Sequence, residues 1–306
     1  MKTNKLYSPS IIKELEQRYG YRTSKRLGQN FLIDRNITLN IIEGAGICEN
    51  DLVIEIGSGI GGLTAAAAAT AAFVTAVELD GRLIPALGDN LSNFDNVQII
   101  NGDILKTDIG VIVELMKAEC VKRRESSGAF KPTQLKIIGN LPYYITTAII
   151  TKFLEEGVFA SSMTFMMQKE VANRICARNG ERDSSAITAL IRYHSNPEPL
   201  FNVSREVFIP KPNVDSTVVK FDILSKKSVS PASEKFFFKV IRAGFNKRRK
   251  TLLNALTGFE GLGKDEIQRA FAIAELASAR RAENLTLVEF ERLSDALLAI
   301  LGDKEE

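Results

Sequence analysis

The chain of 306 residues is long enough to bury one large core and a smaller second one. Hydrophobic residues at 45% and charged residues at 25% exclude a disordered chain, and the formal net charge of +3 does not by itself announce a nucleic-acid binder. Three cysteines, Cys48, Cys120 and Cys176, are scattered without a CxxC pair beside a single histidine, His194, so no zinc centre or other metal is expected.

The opening stretch MKTNKLYSPSIIKELEQRYGYR lacks the apolar core of a signal peptide, and the alanine-rich residues 65–72 are too short to span a bilayer. The expected setting is the cytoplasm, away from membranes. Residues 52–57 (LVIEIG) form a short apolar run ending in glycine, the pattern of a buried strand. Further strands are expected at 73–78, 97–102, 135–140 and 162–168. Helical segments fall between them at 62–72, 82–92, 109–118 and 146–156, the last with Ile149, Ile150, Phe153 and Leu154 turned inward. Strand alternating with helix implies βαβ units and a mostly parallel sheet, hence a doubly wound α/β fold. Residues 119–134 read as a charged surface excursion, and 207–221 as a proline-punctuated loop entering a last, antiparallel strand. Past a polar linker at 226–235 the periodicity turns helical, over roughly 233–256, 264–276 and 286–301. There Leu287, Phe290, Leu293, Leu297 and Ile300 recur at the spacing of one buried stripe. Two domains are therefore expected, 1–225 and a small all-α domain at 226–306.

Gly57-Ser58-Gly59-Ile60-Gly61-Gly62 follows a strand and precedes a helix, where glycine lets the backbone approach a ligand and helix amides favour anions. The spelling fits both GxGxG and the GxGxxG dinucleotide fingerprint, and a purely structural turn is the bland alternative. Glu78, 21 residues after Gly57, ends the second strand and could hold ribose hydroxyls in a NAD or an S-adenosylmethionine enzyme. Asp103 ends the third strand, where a carboxylate could accept from an adenine amine or simply cap the following helix. Gly139-Asn140-Leu141-Pro142-Tyr143-Tyr144 sits at a fourth strand end: an acceptor carbonyl, a fixed chain direction and aromatic faces. Four such ends in series argue for a ligand cleft.

Together EIGSGIGGLT (55–64), VELD (77–80), NGDIL (101–105) and GNLPYY (139–144) resemble the ribosomal RNA adenine N6-dimethyltransferases. The resemblance extends to KRLGQNFLID (25–34), QKEVANRI (168–175), FIPKPNVDSTVV (208–219), FNKRRKTLLNAL (245–256) and RAENLTLVEF (281–290), and so covers nearly the whole chain. It implies a Rossmann-like class I methyltransferase fold with a helical C-terminal domain, in the branch acting on small-subunit 16S rRNA. The first domain would bind S-adenosyl-L-methionine through Asn30, Leu32, Gly57, Glu78, Asp103 and Asn140. Its implied activity is dimethylation of N6 on two adjacent adenosines near the RNA 3′ end, during ribosome biogenesis, in a pre-30S particle and as a monomer. The Asn140 side-chain carbonyl and the Leu141 backbone carbonyl would accept the two N6 hydrogens, with Tyr143 stacking on the extruded base and Phe208 as the opposing aromatic face. For Phe208 a core role is equally open. No acid–base residue is needed, and His194 reads as structural.

Basic residues cluster at Lys13, Arg18, Arg22, Lys25 and Arg26, and again at Lys239, Arg242, Lys247, Arg248, Arg249 and Lys250. Such clusters suit RNA phosphates, though a solvated helix face is the plain alternative. Three competing readings remain open at this point. They are a large-subunit adenine methyltransferase conferring antibiotic resistance, a NAD-dependent oxidoreductase, and an RNA-binding assembly factor on a retained methyltransferase fold. Methylation of isolated subunits separates the first, binding of S-adenosylhomocysteine against NADH the second, and loss of methyl transfer on changing Asn140 the third.

Overall fold

The computed structural model describes residues 6–22, 28–127, 134–157, 160–178, 181, 184–247 and 249–305. Two compact units emerge, one of Met1–Ala172 with Glu198–Ile223, the other of Asn173–Pro197 with Leu224–Glu306. Residues 173–197, kept with the α/β part by the sequence pattern, thus group with the helical part.

The first unit opens with helix α1 (Ser10–Tyr19), the short strand β1 (Phe31–Leu32) and helix α2 (Arg35–Gly44). Asp34 starts α2 by accepting from the amides of Asn36 and Ile37, two of the donors a helix start leaves free. Strand and helix then alternate through β2 (Asp51–Ile56), α3 (Gly62–Ala68), β3 (Phe73–Glu78), α4 (Ile84–Leu91) and β4 (Val97–Asn101). The alternation continues through α5 (Ile109–Ser127), β5 (Gln134–Asn140), α6 (Thr146–Glu155) and β6 (Ser162–Gln168). Helices α7 (Lys169–Cys176) and α8 (Ala186–His194) lead to β7 (Ser195–Val203), the short β8 (Phe208–Ile209) and β9 (Ser216–Ile223).

Seven strands form one sheet in the order β4-β3-β2-β5-β6-β9-β7, while β1 pairs with β8 apart from it. From β4 to β6 all neighbours are parallel, and β9 returns antiparallel to β6, as the sequence pattern anticipates. Every residue of β2 and β3 is buried, as expected of strands covered on both faces. The chain lays down β2, winds outward through β3 and β4, then crosses back to β5 on the other side. That reversal makes a switch point between β2 and β5, where Ile56 stands opposite Gly139 and where such sheets bind ligands.

Helix α3 is buried on both sides. Ala67 and Ala68, with Ala71 just beyond the helix, pack with Ile41 and Ile42 of α2, and Ala65 packs with Ile60, Leu83 and Leu87. Its alanines therefore let a helix fit between two apolar layers rather than forming a bare surface face.

Helix α5 and strand β7 depart from the sequence reading. Helix α5 runs on to Ser127 where a charged excursion was expected from 119. Ile112, Met116 and Cys120 are buried at four-residue spacing, and Glu114–Lys117 and Glu119–Lys122 pair on the outer side at 2.9 and 2.6 Å. Strand β7 contains Pro197 and Pro199, which hide it in the sequence; at the outer edge of the sheet the missing amide donors are tolerated.

The second unit packs α8, α9 (Glu234–Asn246), α10 (Leu252–Leu256), α11 (Lys264–Ile273) and α12 (Leu287–Glu305) around one core. All five stripe residues of α12 are buried in it, with Phe237, Ile241, Leu252, Ile267 and Phe271. The expected continuous helix over 233–256 is broken. Lys247 leaves helical geometry at φ −120 and ψ 56, and the Thr251 hydroxyl restarts the chain as α10 by accepting from the Asn254 amide. His194 is buried here, its Nδ1 against the Lys227 ammonium, and burial holds its pKa down at about 4. A neutral imidazole packed among Tyr193 and Phe238 is structural.

Candidate active site

At the carboxyl edge of β2, β3, β4 and β5 lies a cleft walled by residues of the first unit alone. The glycine turn after β2 and the Asn-Leu-Pro-Tyr turn after β5 face into the same cleft, along with Glu78, Asp103, Asn30 and Leu32. The sequence placed these strand ends in series; the switch point brings them together.

Gly57, Gly59 and Gly61 all take positive φ (72, 56 and 87), a conformation L side chains rarely adopt. A Cβ on Gly59 would lie 3.2 Å from the Phe31 ring, and one on Gly61 2.9 Å from Leu87. The amides of Gly57 and Ser58 donate to the Val77 carbonyl, that of Gly59 to Glu78 Oε2 at 2.7 Å, and that of Gly61 to the Ser58 carbonyl. With these amides committed inside the protein, the turn shapes a wall rather than cradling a pyrophosphate, which speaks against the dinucleotide reading.

Glu78 is buried, and its other oxygen accepts from the Asp80 amide at 2.8 Å. Burial raises its pKa, while those backbone donors pull the other way. With the Gly59, Asp80 and Leu79 amides as donors, the carboxylate still has acceptor capacity for a hydroxyl. Asp103 accepts from the Leu105 amide at 3.0 Å, and Lys106 stands 3.8 Å from its second oxygen. Asp103 thus caps the turn that follows it, its carbonyl also accepting from the Lys106 and Thr107 amides, while at the start of α5 the Asp108 side chain accepts from the Val111 amide.

Asn140 donates its amide nitrogen to the Asn30 carbonyl at 3.0 Å, which assigns the opposite end of the amide as oxygen. Among the described residues, neither that oxygen nor the Leu141 carbonyl accepts a protein hydrogen bond. Tyr143 is half-buried, its hydroxyl 2.9 Å from Ser216 Oγ, and Tyr144 beside it is 59% exposed.

Phe208 does not join this group. At 2% exposure it packs with Ile41, Ile42, Val203 and Val218, paired to Leu32 across the β1–β8 ladder, and it lines no part of the cleft. A ring filling a core position has no free face for a base.

Sequence reasoning passed over Glu55, which sits inside the apolar run of β2 and lines the cleft at 2% exposure. Its Oε2 accepts from the Thr64 hydroxyl at 2.5 Å, and burial pushes its pKa up to about 8. One carboxylate in an otherwise apolar strand was the available signal.

Of the basic residues, Arg22 is exposed and 3.6 Å from Glu16, Arg18 is paired with Asp89 at 2.8 Å, and Lys239 with Glu260 at 2.9 Å. Lys25, Arg26 and Arg248 lie outside the described residues. Lys247, Arg249 and Lys250 are exposed at the turn between α9 and α10, without a carboxylate partner among the described residues. No group of acidic, His and Cys side chains among the described residues could hold a metal, and no helix there is long and apolar enough to cross a membrane.

The cleft suits an adenosine-bearing sulfonium ligand: a carboxylate with spare lone pairs at Glu78, a second at Asp103, and the buried Ser58 hydroxyl without any protein partner. Fold and site together define a class I methyltransferase that uses S-adenosylmethionine. A dimethyladenosine transferase from Plasmodium falciparum shares the fold at a TM-score of 0.68, with 22% identity over 85% of this chain and 94% of that one. The chain belongs to the ribosomal RNA adenine dimethylase family, whose model matches residues 20–297. Relatives named ribosomal RNA small subunit methyltransferase A include one from Alkaliphilus oremlandii, 44% identical over 96% of this chain and 98% of its own length. Another, from Clostridioides difficile, is 42% identical over 98% of this chain and 100% of its own.

Proposed function

We propose that the protein transfers methyl groups from S-adenosylmethionine to N6 of adenosines in small-subunit 16S rRNA, twice on each of two adjacent bases near the 3′ end. The observation that carries this reading is the shared cleft, in which Asn140, its amide nitrogen committed to Asn30, presents an unpartnered oxygen beside the glycine turn.

When bound, S-adenosylmethionine supplies a methyl group on a sulfonium, a leaving group that needs no protonation. Glu78 holds the ribose hydroxyls, Asp103 accepts from the adenine amine, Gly57 gives the methionine moiety close approach, and Asn30, Leu32 and Asn140 complete the wall. The target adenine leaves its stack and lies against the Tyr143 ring, which the Ser216 contact holds in place. Asn140 Oδ1 and the Leu141 carbonyl accept the two N6 hydrogens. That geometry turns the nitrogen lone pair toward the methyl group and stabilises the positive charge developing on nitrogen. The N6 proton then departs to solvent, so no side chain has to act as a base.

Exposed Lys247 and Arg249, together with Arg22, Lys25, Arg26 and Arg248, meet RNA phosphates, and shape rather than base readout selects the site. The substrate is the RNA within a precursor of the small subunit, and the protein acts as a monomer in the cytoplasm. The catalytic part is the 1–225 domain and the helical part the 226–306 domain, with 173–197 structurally allied to the latter. The test is Asn140→Ala with undermethylated small subunits. Methyl transfer should fall by at least about a hundredfold while RNA affinity stays near wild type. Full transfer by that variant would remove the mechanism.

A further inference from the structure

Three consecutive residues, Gly28, Gln29 and Asn30, each grip a different part of the cleft wall. Gly28 takes φ 61, a conformation L side chains rarely adopt, and the Tyr144 ring lies beside it. Asn30 offers its carbonyl to Asn140 Nδ2. Between them, Gln29 makes two polar contacts at once: its Oε1 accepts from the Tyr21 hydroxyl at 2.5 Å and its Nε2 donates to Asp80 Oδ2 at 2.9 Å.

Both partners of Gln29 are firmly held. Tyr21 is buried, meets Phe31 edge-on and carries the Arg82 guanidinium over its ring at 5.3 Å. Asp80 takes two hydrogen bonds from the Arg82 side chain, at 2.8 and 2.6 Å, and its own amide donates to Glu78. The Gln29 side chain has a carbonyl and an amide group, and this site uses one of each. A residue bearing only acceptors could not serve the Asp80 carboxylate.

We infer that Gln29 is a positioning residue for methyl transfer: by tying its loop to Asp80 and Tyr21 it holds the Asn30 carbonyl where that carbonyl orients the Asn140 amide. Without the tie the Asn30 carbonyl drifts, the Asn140 amide is free to turn its nitrogen toward the target, and a donor then faces the N6 hydrogens. A misplacement of about 1 Å, even when its cause lies far from the reacting atoms, can cost about a hundredfold in rate. The inference rests on the reading of Asn140 as the acceptor for N6.

The test measures single-turnover methylation of undermethylated small subunits, S-adenosylhomocysteine affinity and thermal stability for the full chain and for Gln29→Leu. Expected is a rate loss of about 10- to 100-fold with a change in affinity of less than about threefold, the split a transition-state positioning role gives and a general loss of folding does not. Tyr21→Phe keeps the ring and removes only the hydroxyl, so it reports the same split at smaller amplitude even if Gln29→Leu fails to fold. A wild-type rate in a folded variant overturns the inference, as does a rate that falls only in proportion to affinity. Asn140→Ala run alongside separates the two ideas. Full activity there overturns the reading of the site itself, whereas loss there with full activity in Gln29→Leu overturns only the role of Gln29.

Discussion

Replacing Glu55 with glutamine should make the protein less sensitive to alkaline pH. In the fold Glu55 is 2% exposed and accepts from the Thr64 hydroxyl, and the nearby Glu78 carboxylate adds repulsion to the burial that pushes its pKa up to about 8. In the unfolded chain it titrates near 4.5, so between those two values the folded protein holds a proton the unfolded chain has lost. Stability therefore falls as pH rises through that window, by about 1.4 kcal/mol per pH unit and about 5 kcal/mol across all of it. Below the window the carboxyl is protonated in both states and its contribution is fully retained. The glutamine side chain of Glu55→Gln would be neutral throughout and can still accept from Thr64, so the penalty disappears. Thermal unfolding of wild type and Glu55→Gln between about pH 5 and about pH 8.5 measures the difference, in which titrating groups that do not interact with Glu55 cancel. The gap in melting temperature should widen in favour of Glu55→Gln as pH rises. Parallel curves would refute a proton held on Glu55.

Glu78→Ala removes the acceptor for the Gly59 and Asp80 amides together with the ribose partner; at about 1.5–3 kcal/mol for a hydrogen bond to a charged group, the Kd for S-adenosylhomocysteine should rise about 10- to 100-fold by calorimetry. An unchanged Kd would exclude the ribose assignment. Lys136→Ala leaves Asp51, 1% exposed and 3.1 Å from the ammonium, as an unpaired buried charge, and should cost about 3–5 kcal/mol in urea unfolding. Replacing both partners, Asp51→Asn with Lys136→Met, should cost less than Lys136→Ala alone; the opposite order would show that the charge is not the reason. Changing Lys247 and Arg249 to glutamine should weaken RNA binding and lower the slope of log affinity against log salt by about 1 per cation, with cofactor affinity unchanged. An unaltered salt slope would place these side chains away from phosphate.

Much of this protein could be read locally. The strands after which the glycine turn, Glu78, Asp103 and Asn140 stand are short apolar runs bounded by turn residues, and the α12 stripe repeats at helical spacing; both patterns come from which faces the core covers. Local reading failed where a neighbour distant in the chain decides. Pro197 and Pro199 disguise β7 because only the sheet order makes it an edge, and α5 outlasts its apolar pattern because ion pairs support its outer turn.

The sequence by itself determined the alternation of the central strands and helices, the chemistry available at each strand end and the family. Whether a given side chain reaches a ligand was a matter of tertiary structure. The Asn30 carbonyl, 110 positions away in the chain, settles which end of the Asn140 amide is oxygen, and packing against α2 turns Phe208 from a candidate stacking face into core. The same holds for Glu55 and Gln29, whose proton affinity and double hydrogen bond exist only once the sheet and the segments over its edge have closed. Composition and spacing record what a residue can do; burial, and the partners that folding brings to it, select which of those things it does.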